Sequence, residues 1–288
     1  MKNSTNIFLS LTIACSALMA PAAFSQQLKV PAPSPGATVK QNLGLGEVTI
    51  EYSRPGVKGR TIFGDVVPYG KIWRTGANAT TKVTFTDTMK VEGKTLAPGT
   101  YGLYTIPNAD SWDIMFTTDL TLGGNVAEYK TEKEVLHVKV KPFTLAMKVE
   151  TFTISVGDVS ASSANLMLLW DKTGVPVNIT TDVDSRVMKN IGSAMSPDDK
   201  RPYFQSASYY YENDKDLKQA LAWVNKAIEQ NKAFYVVHLK AKIMMKMKDY
   251  KGAIEAGEQS MALAKEAKSD DYVKLNEKLI AEAKKGGK

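Results

Sequence analysis

Nine side chains within one 25-residue stretch have the chemistry of a site for an anion or a sugar. Arg guanidinium groups hold carboxylate, phosphate or sulfate through a planar fork, and Tyr and Trp rings offer apolar faces that stack on a sugar or cover an Arg side chain. The stretch from Arg54 to Asn78 holds five Lys or Arg residues against one acid, a net charge of +4. The candidate ligand-binding residues are Arg54, Lys58, Arg60, Asp65, Tyr69, Lys71, Trp73, Arg74 and Asn78. They predict a pocket on which the guanidinium groups of Arg54, Arg60 and Arg74 converge.

A structural role would explain the same residues. Between Gln26 and Ser185 the chain has 16 Lys and Arg residues against 16 Asp and Glu residues, so the part of this region outside the stretch carries a net charge of −4. The Arg side chains could form ion pairs with those acids and hold an irregular segment on a sheet. The charge balance favours this structural role over the ligand pocket.

The rest of the sequence offers few groups for catalysis. It has two histidines, His137 and His238, and it contains neither a Gly-x-Ser-x-Gly elbow nor a P-loop. His137 is expected on a solvated strand face with Lys139. No His or Cys spacing indicates a metal site, so we expect no metal and no cofactor. A hydrolase acting in the stretch would depend on Asp65, the only acid there.

The N-terminus has the features of a secretory signal. A basic start precedes an apolar run, and the small residues Ala23 and Ser25 suit a signal peptidase. We therefore predict a signal peptide over residues 1–25 and a periplasmic or secreted protein without a transmembrane span. A lipid anchor at Cys15 is the less favoured alternative, because Thr12 stands where a lipobox usually has Leu. Cys15 is the only cysteine, so a cleaved chain would have no disulfide.

Most of the chain before residue 182 has the pattern of β-strands. Residues 26–46 contain a proline-rich run, from Pro31 to Pro35, and predict a linker and lead-in. Over residues 47–181, short runs with period two are separated by Gly, Pro, Asn and Asp. Eight to ten such strands predict an antiparallel β-sandwich or jelly-roll-like domain. A shift of apolar parity between Val149 and Phe152 predicts a bulge, and the apolar run Leu166–Trp170 predicts a strand buried on both faces.

Residues 182–288 change to the helical period. A helix start is expected at Ser196–Pro197, and a last helix is expected over Tyr272–Lys284. Two segments match at an offset of 33 residues, with Ala220 matching Ala253. This predicts a C-terminal α-helical domain of tetratricopeptide-like (TPR-like) repeats and an overall β + α fold, with a generic antiparallel bundle as the alternative. Lys residues supply much of the chain's net charge of +7 here but alternate with acids, which favours a solvated face over nucleic-acid binding.

Several motifs resemble one known family. They are Arg54-Pro55-x-x-Lys58-Gly59-Arg60, Val67-Pro68-Tyr69-Gly70-Lys71, Trp73-Arg74-Thr75-Gly76-Ala77-Asn78 and Pro98-Gly99-Thr100-Tyr101. The family is an uncharacterised group of exported proteins of Gram-negative bacteria, domain of unknown function 2911, and the resemblance covers about residues 35–180. It implies an exported β-domain that is often followed by tetratricopeptide-like helices, and it implies no activity.

Two classes of function are consistent with the sequence. The first is an exported, non-enzymatic binding protein of the bacterial envelope, with an anionic or glycan ligand on the Arg and aromatic patch and a peptide or protein partner on the helices. The alternative is a hydrolase that uses the Arg cluster as a clamp on an anionic or glycan substrate. A third possibility places the whole function in the helices. We expect no nucleic-acid partner.

Overall fold

The structure, a computed structural model, describes residues 30–195 and 201–287. The predicted signal peptide with Cys15 and the predicted helix start at Ser196–Pro197 lie outside these residues. Within them the chain forms ten β-strands followed by six α-helices. This is the β + α arrangement that the sequence predicts. None of the described helices is both long enough and apolar enough to cross a membrane.

The strands pair in two antiparallel sheets. In chain order they are β1 (Gly36–Leu43), β2 (Gly46–Ser53), β3 (Thr81–Phe85), β4 (Met89–Val91), β5 (Lys94–Leu96), β6 (Gly99–Pro107), β7 (Trp112–Thr117), β8 (Glu134–Val140), β9 (Phe143–Gly157) and β10 (Ser163–Thr180). One sheet has the order β1-β2-β3-β6-β7-β8, and the other has the order β5-β4-β10-β9. Most neighbours in the sheets are also neighbours in sequence, but long segments connect β2 to β3 and β7 to β8. Glu92 and Gly93, both with positive φ, form the turn between β4 and β5.

Both sheets contribute to one hydrophobic core. Side chains of β3 alternate between buried and half-buried positions, and Val83 and Phe85 lie in the core. From the other sheet, Phe152, Ile154 and Trp170 join the same cluster. Because successive side chains of a strand point to opposite faces, this alternation buries one face of each sheet.

Strand β1 corrects the prediction of a lead-in over residues 26–46. All eight of its residues pair with β2 in register, from Gly36 opposite Ser53 to Leu43 opposite Gly46. The proline run ends at Pro35, so every residue of β1 keeps the backbone N–H that a ladder needs. Only the residues before the strand can act as a lead-in.

Strand β10 is longer than the strand predicted over Leu166–Trp170. The run Leu166–Trp170 and the later run that ends at Ile179 belong to one strand of 18 residues. Leu166 and Leu168 are buried, whereas Met167 and Leu169 are only half-buried. The strand is therefore not buried on both faces. Apolar side chains on its outer face produced the continuous apolar run.

The predicted bulge in β9 is confirmed and has a structural cause. Thr153 lies opposite Leu169, while Val149 lies opposite Asp171, so β9 contains extra residues between these pairs. The extra segment forms a backbone hydrogen bond with the Arg54–Asn78 stretch: the Glu150 carbonyl accepts from the Val57 N–H at 2.7 Å. The shift of apolar parity therefore marks the place where β9 binds the Arg54–Asn78 stretch.

Six helices follow β10. They are α1 (Val183–Ala194), α2 (Tyr203–Glu212), α3 (Leu217–Gln230), α4 (Phe234–Lys246), α5 (Tyr250–Glu266) and α6 (Asp270–Gly286). Asp216 caps α3 by accepting from the backbone N–H groups of Lys218 and Gln219, and Asp249 caps α5 by accepting from that of Gly252. The two caps lie 33 residues apart, the offset found in the sequence.

Small residues let the helices approach one another closely. Ala207 of α2 and Ala220 of α3 are fully buried in one cluster, which also includes residues of α4. Ala241 of α4 and Ala253 of α5 are fully buried in a second cluster with residues of α6. Helix α4 therefore contributes to both clusters, with α2 and α3 in one and α5 and α6 in the other.

Candidate functional site

The Arg54–Asn78 stretch connects β2 to β3 and is anchored to both sheets. Near its start, the Phe152 N–H of β9 donates to the Pro55 carbonyl at 2.9 Å. Near its end, Trp73 exchanges two backbone hydrogen bonds with Thr105 of β6, at 2.7 and 2.9 Å. Since β9 and β6 belong to different sheets, the stretch ties one sheet to the other.

Arg54 and Arg60 bond to the protein itself. The Arg54 guanidinium donates from Nε to the Phe152 carbonyl at 3.0 Å and from Nη2 to Thr153 Oγ1 at 2.8 Å. Arg60 donates to the carbonyls of Val57 and Gly56 at 3.1 and 2.7 Å. These contacts are structural, but their acceptors are neutral oxygens rather than the predicted carboxylates. Within the described residues no ion pair involves a Lys or Arg of the stretch.

Trp73 belongs to an aromatic cluster between the sheets. Its ring stacks on that of Trp170, with centroids 5.7 Å apart at an interplanar angle of 15°, and meets Trp112, Phe152 and Phe63 edge-on. Its Nε1 donates to the Gly76 carbonyl at 3.2 Å. Because the ring is partly buried against the core and stacks on Trp170, Trp73 offers less of the sugar-stacking surface that the sequence predicted.

Arg74 and Asn78 lie at the far end of the stretch. The Arg74 guanidinium packs directly on the backbone of Gly124, where a Cβ would overlap it, and its Nε is buried without a hydrogen-bond partner among the described residues. Asn78 donates to the Ser34 carbonyl and to Ser53 Oγ at 3.2 and 3.3 Å. Arg74 thus lies against the loop after β7, whereas Arg54 donates to β9 and Arg60 donates to carbonyls of the stretch itself. The three guanidinium groups have no contact residue in common among these.

Six members of the predicted set are exposed. These are Lys58, Arg60, Asp65, Tyr69, Lys71 and Asn78. Tyr69 is 47% exposed, and Lys58 Nζ donates only weakly, to the Pro33 carbonyl at 3.4 Å. They form a surface rather than an enclosed pocket.

Arg54 gives a direct test of the structural role. The change Arg54→Met keeps most of the apolar stem and removes both side-chain hydrogen bonds to β9. We expect the free energy of unfolding of the β-strand region to fall by about 1–3 kcal/mol. Urea unfolding followed by tryptophan fluorescence measures this, since three of the four tryptophans lie in the strands or the stretch. Lys71→Met, at an exposed site of the same stretch, should change it by less than about 0.5 kcal/mol. An equal loss of unfolding free energy in the two variants would contradict the structural role of Arg54.

A cavity with both apolar and charged walls lies on the helices, away from the stretch. We call it the helical groove. It has a volume of about 450 Å³ and is bordered by side chains of α2, α4 and α6. Its lining residues are Tyr211, His238, Lys242, Met245, Lys246, Leu275, Lys278, Leu279 and Glu282. Sequence reasoning did not propose it as a site. The spacing of His238, Lys242 and Lys246, four residues apart along α4, was the available signal, because it places all three on one helix face.

A buried polar network supports one wall of the groove. Asn276 of α6 is fully buried. Its Nδ2 donates to Ser260 Oγ of α5 at 2.9 Å and to the Tyr272 carbonyl at 2.7 Å, and Ser260 Oγ donates to the Phe234 carbonyl of α4 at 2.8 Å. His238 Nδ1 lies 2.8 Å from Asn276 Oδ1. The network therefore links three helices, and every polar group named in it has a partner.

This network fixes the tautomer of His238. Both N–H groups of Asn276 are used, so its Oδ1 must accept and His238 Nδ1 must carry the proton. In the neutral ring, Nε2 then presents a lone pair at the groove. Burial lowers the pKa of His238 below its ordinary value of 6.5; nearby Lys242 acts in the same direction, and the Asn276 hydrogen bond opposes both. At neutral pH, His238 is therefore an acceptor.

The other histidine is exposed but paired. His137 Nε2 lies 2.9 Å from Asp113 Oδ1, and Nδ1 lies 3.0 Å from Glu134 Oε2. The sequence placed His137 on a solvated strand face and did not foresee these two carboxylates. They flank opposite sides of the ring rather than sharing one point with it. Across residues 30–195 and 201–287, no group of three His, Cys, Asp or Glu side chains is arranged to hold a metal ion.

Comparison with known proteins identifies the strand region. A family model described as a protein of unknown function, DUF2911, matches residues 34–179. No curated protein and no solved structure matches the chain. The match contains the Arg54–Asn78 stretch and all ten strands except the last residue of β10, and it ends before α1. Since it covers half of the 288 residues, the chain belongs to the DUF2911 family of proteins of unknown function.

Proposed function

We propose that this protein is an exported, non-enzymatic binding protein of the bacterial envelope whose helical groove takes a peptide segment of a partner protein. In this proposal the strands form a β-sandwich that serves as a scaffold, and α2 to α5 are two TPR-like helix pairs covered by α6. The 33-residue offset of the Asp216 and Asp249 caps supports the repeat. Fully buried alanines at Ala220 and Ala253 support it as well.

One observation carries the proposal. The groove combines exposed apolar side chains with charged ones on a concave surface: Leu275 is 47% exposed and borders the same cavity as Met245 and Lys242. Exposed apolar residues with a polar rim mark recognition surfaces. A groove along helices suits an extended or helical peptide, whose alternate side chains it can bind.

The Arg54–Asn78 stretch has less support as a ligand site. Arg54 and Arg60 already bond to backbone oxygens, and Trp73 is partly buried against the core. The hydrolase alternative depends on Asp65, which is exposed and apart from those guanidinium contacts. We therefore place recognition in the helices and assign the stretch to holding the two sheets together.

Leu275→Gln tests the groove without adding a charge. If a peptide binds there, loss of this apolar anchor should weaken binding by about tenfold, or about 1.4 kcal/mol. The measurement is fluorescence anisotropy with the tightest binders from an unbiased peptide array screened on the wild-type protein. The matched control is Ala281→Gln, an exposed position on α6 outside the groove. Circular dichroism checks that both variants fold. Unchanged affinity in Leu275→Gln, or no binder on the array, would remove the proposal.

A further inference from the structure

The walls of the helical groove have an unequal charge. Helix α4 carries Lys240, Lys242 and Lys246 and no acidic residue. Among the lining residues, three are lysines and one, Glu282, is acidic. The groove is therefore a positive surface on a helix that provides no counter-charge of its own.

The three lining lysines are not equally available. Lys246 is already committed, because it forms an ion pair with Asp214 and donates to the Tyr211 carbonyl at 2.8 Å. Lys242 Nζ lies 4.7 Å from the centroid of the Tyr211 ring. Neither Lys242 nor Lys278 forms an ion pair with any residue in the described part of the chain. Two cations, one on α4 and one on α6, thus face the groove without an acidic partner.

We infer that the groove selects an acidic polypeptide segment, with Lys242 and Lys278 taking its carboxylates from opposite walls. This inference depends on the proposed function and specifies the chemistry of its ligand. Lys242 is half-buried beside an aromatic ring, so water screens a carboxylate bound to it less than it screens a surface pair. Lys278 is exposed, so its contribution is smaller.

His238 defines where the carboxylates bind. Its neutral ring presents the Nε2 lone pair, because Asn276 holds the proton on Nδ1. A lone pair repels a carboxylate and accepts from a donor, so this end of the groove suits a backbone N–H of the segment. Lys242 follows one helical turn later on the same face. The groove thus offers an acceptor and then a cation along α4.

The apolar lining of the groove favours an acidic polypeptide over other polyanions as the ligand. Met245, Leu275 and Leu279 lie beside the lysines. They match the apolar side chains of an amphipathic acidic segment and provide nothing for a phosphate backbone. Tyr211 is the only aromatic residue of the lining besides the His238 ring, and its face is taken by Lys242 and Lys246. A stacking platform for bases is therefore not offered.

The test compares one peptide with its uncharged counterpart. The probe is a fluorescein-labelled peptide of alternating leucine and glutamate, and its control has glutamine at every glutamate position. We expect the acidic peptide to bind at least about tenfold more tightly, because hydrogen bonds to charged groups are stronger than those between neutral groups. A single-stranded DNA oligonucleotide of equal charge serves as the competing polyanion.

Matched lysine variants locate the contact. Lys242→Met should weaken binding of the acidic peptide about tenfold and leave the glutamine peptide unchanged, whereas Lys240→Met, on the same helix outside the groove, should change neither. Lys278→Met should weaken binding about threefold, in line with its exposure, against Lys284→Met as control. If Lys242→Met does not fold, Lys278→Met still tests the inference.

The outcomes separate this inference from the proposed function. Equal affinity for the two peptides, with binding still sensitive to Leu275→Gln, would overturn the acidic ligand and leave the groove as a peptide site. Tighter binding of DNA than of the acidic peptide, lost in Lys242→Met, would also overturn it. Binding that neither Leu275→Gln nor Lys242→Met weakens would overturn both proposals.

Discussion

Replacing Trp73 with Ala is expected to lower the free energy of unfolding of the strand region by about 2–4 kcal/mol, slightly less than for a fully buried aromatic side chain, because Trp73 is partly buried against the core. The Trp73 ring contacts four aromatic residues, with centroid distances from 5.1 Å to Phe152 to 6.3 Å to Trp112. Phe152 and Trp170 come from one sheet and Trp112 from the other. Removing the ring therefore leaves a cavity where the sheets meet, and rigid neighbouring rings cannot collapse into it.

The measurement is urea unfolding followed by far-ultraviolet circular dichroism, which does not depend on the missing fluorophore. Tyr69→Ala is the control, because Tyr69 is an aromatic residue of the same stretch and is 47% exposed. It should change stability by less than about 1 kcal/mol. A Trp73→Ala protein as stable as Tyr69→Ala would show that Trp73 is not a core residue, and the stretch would again be a candidate binding surface.

The strands were predictable because their signal is local. Alternation of apolar residues along β3 follows from burial of one sheet face, and a parity shift between Val149 and Phe152 follows from extra residues in β9. Both features depend on neighbours two residues apart, which a sequence displays directly. β1 was missed because proline residues just before Gly36 made the whole segment resemble a linker.

The roles of the Arg side chains were not predictable from composition. The charge balance of the sequence predicts acidic residues as the partners of the Arg side chains, whereas Arg54 and Arg60 donate to backbone carbonyl groups. Every residue has such a carbonyl, so no sequence pattern marks the ones that accept. In an irregular segment there is also no period that tells where a side chain points. Two residues as close in sequence as Trp73 and Arg74 therefore end in different surroundings, one among aromatic rings and one against Gly124.

The helical groove was missed for a different reason. Its walls come from α2, α4 and α6, which alternate along the chain with α3 and α5. No window of sequence contains two walls at once. The helical period of the apolar residues was predictable from the sequence. Which faces of the helices pack together depends on how closely the backbones approach at Ala220, Ala241 and Ala253. Pairwise packing of this kind is a property of the tertiary structure.

Asn276→Leu is expected to lower the free energy of unfolding of the helical region by about 2–4 kcal/mol. Leu has a similar volume, so the change mainly removes polar contacts. His238 Nδ1 then loses its acceptor and Ser260 Oγ loses its donor. A buried donor without a partner costs its full desolvation energy, which is why one residue that joins three helices has so large an effect.

Two control variants divide this effect into its parts. Glu277→Leu, at the exposed neighbouring position, should change stability by less than about 0.5 kcal/mol. Ser260→Ala keeps the bond between Asn276 and His238 but removes the bonds of Ser260 Oγ to Asn276 and to the Phe234 carbonyl, so it should cost about 1–2 kcal/mol. Thermal and urea unfolding followed at 222 nm measure all three. If Asn276→Leu costs no more than Ser260→Ala, the His238 bond contributes nothing. The imidazole is then free to turn, and its lone pair is not a fixed acceptor in the groove.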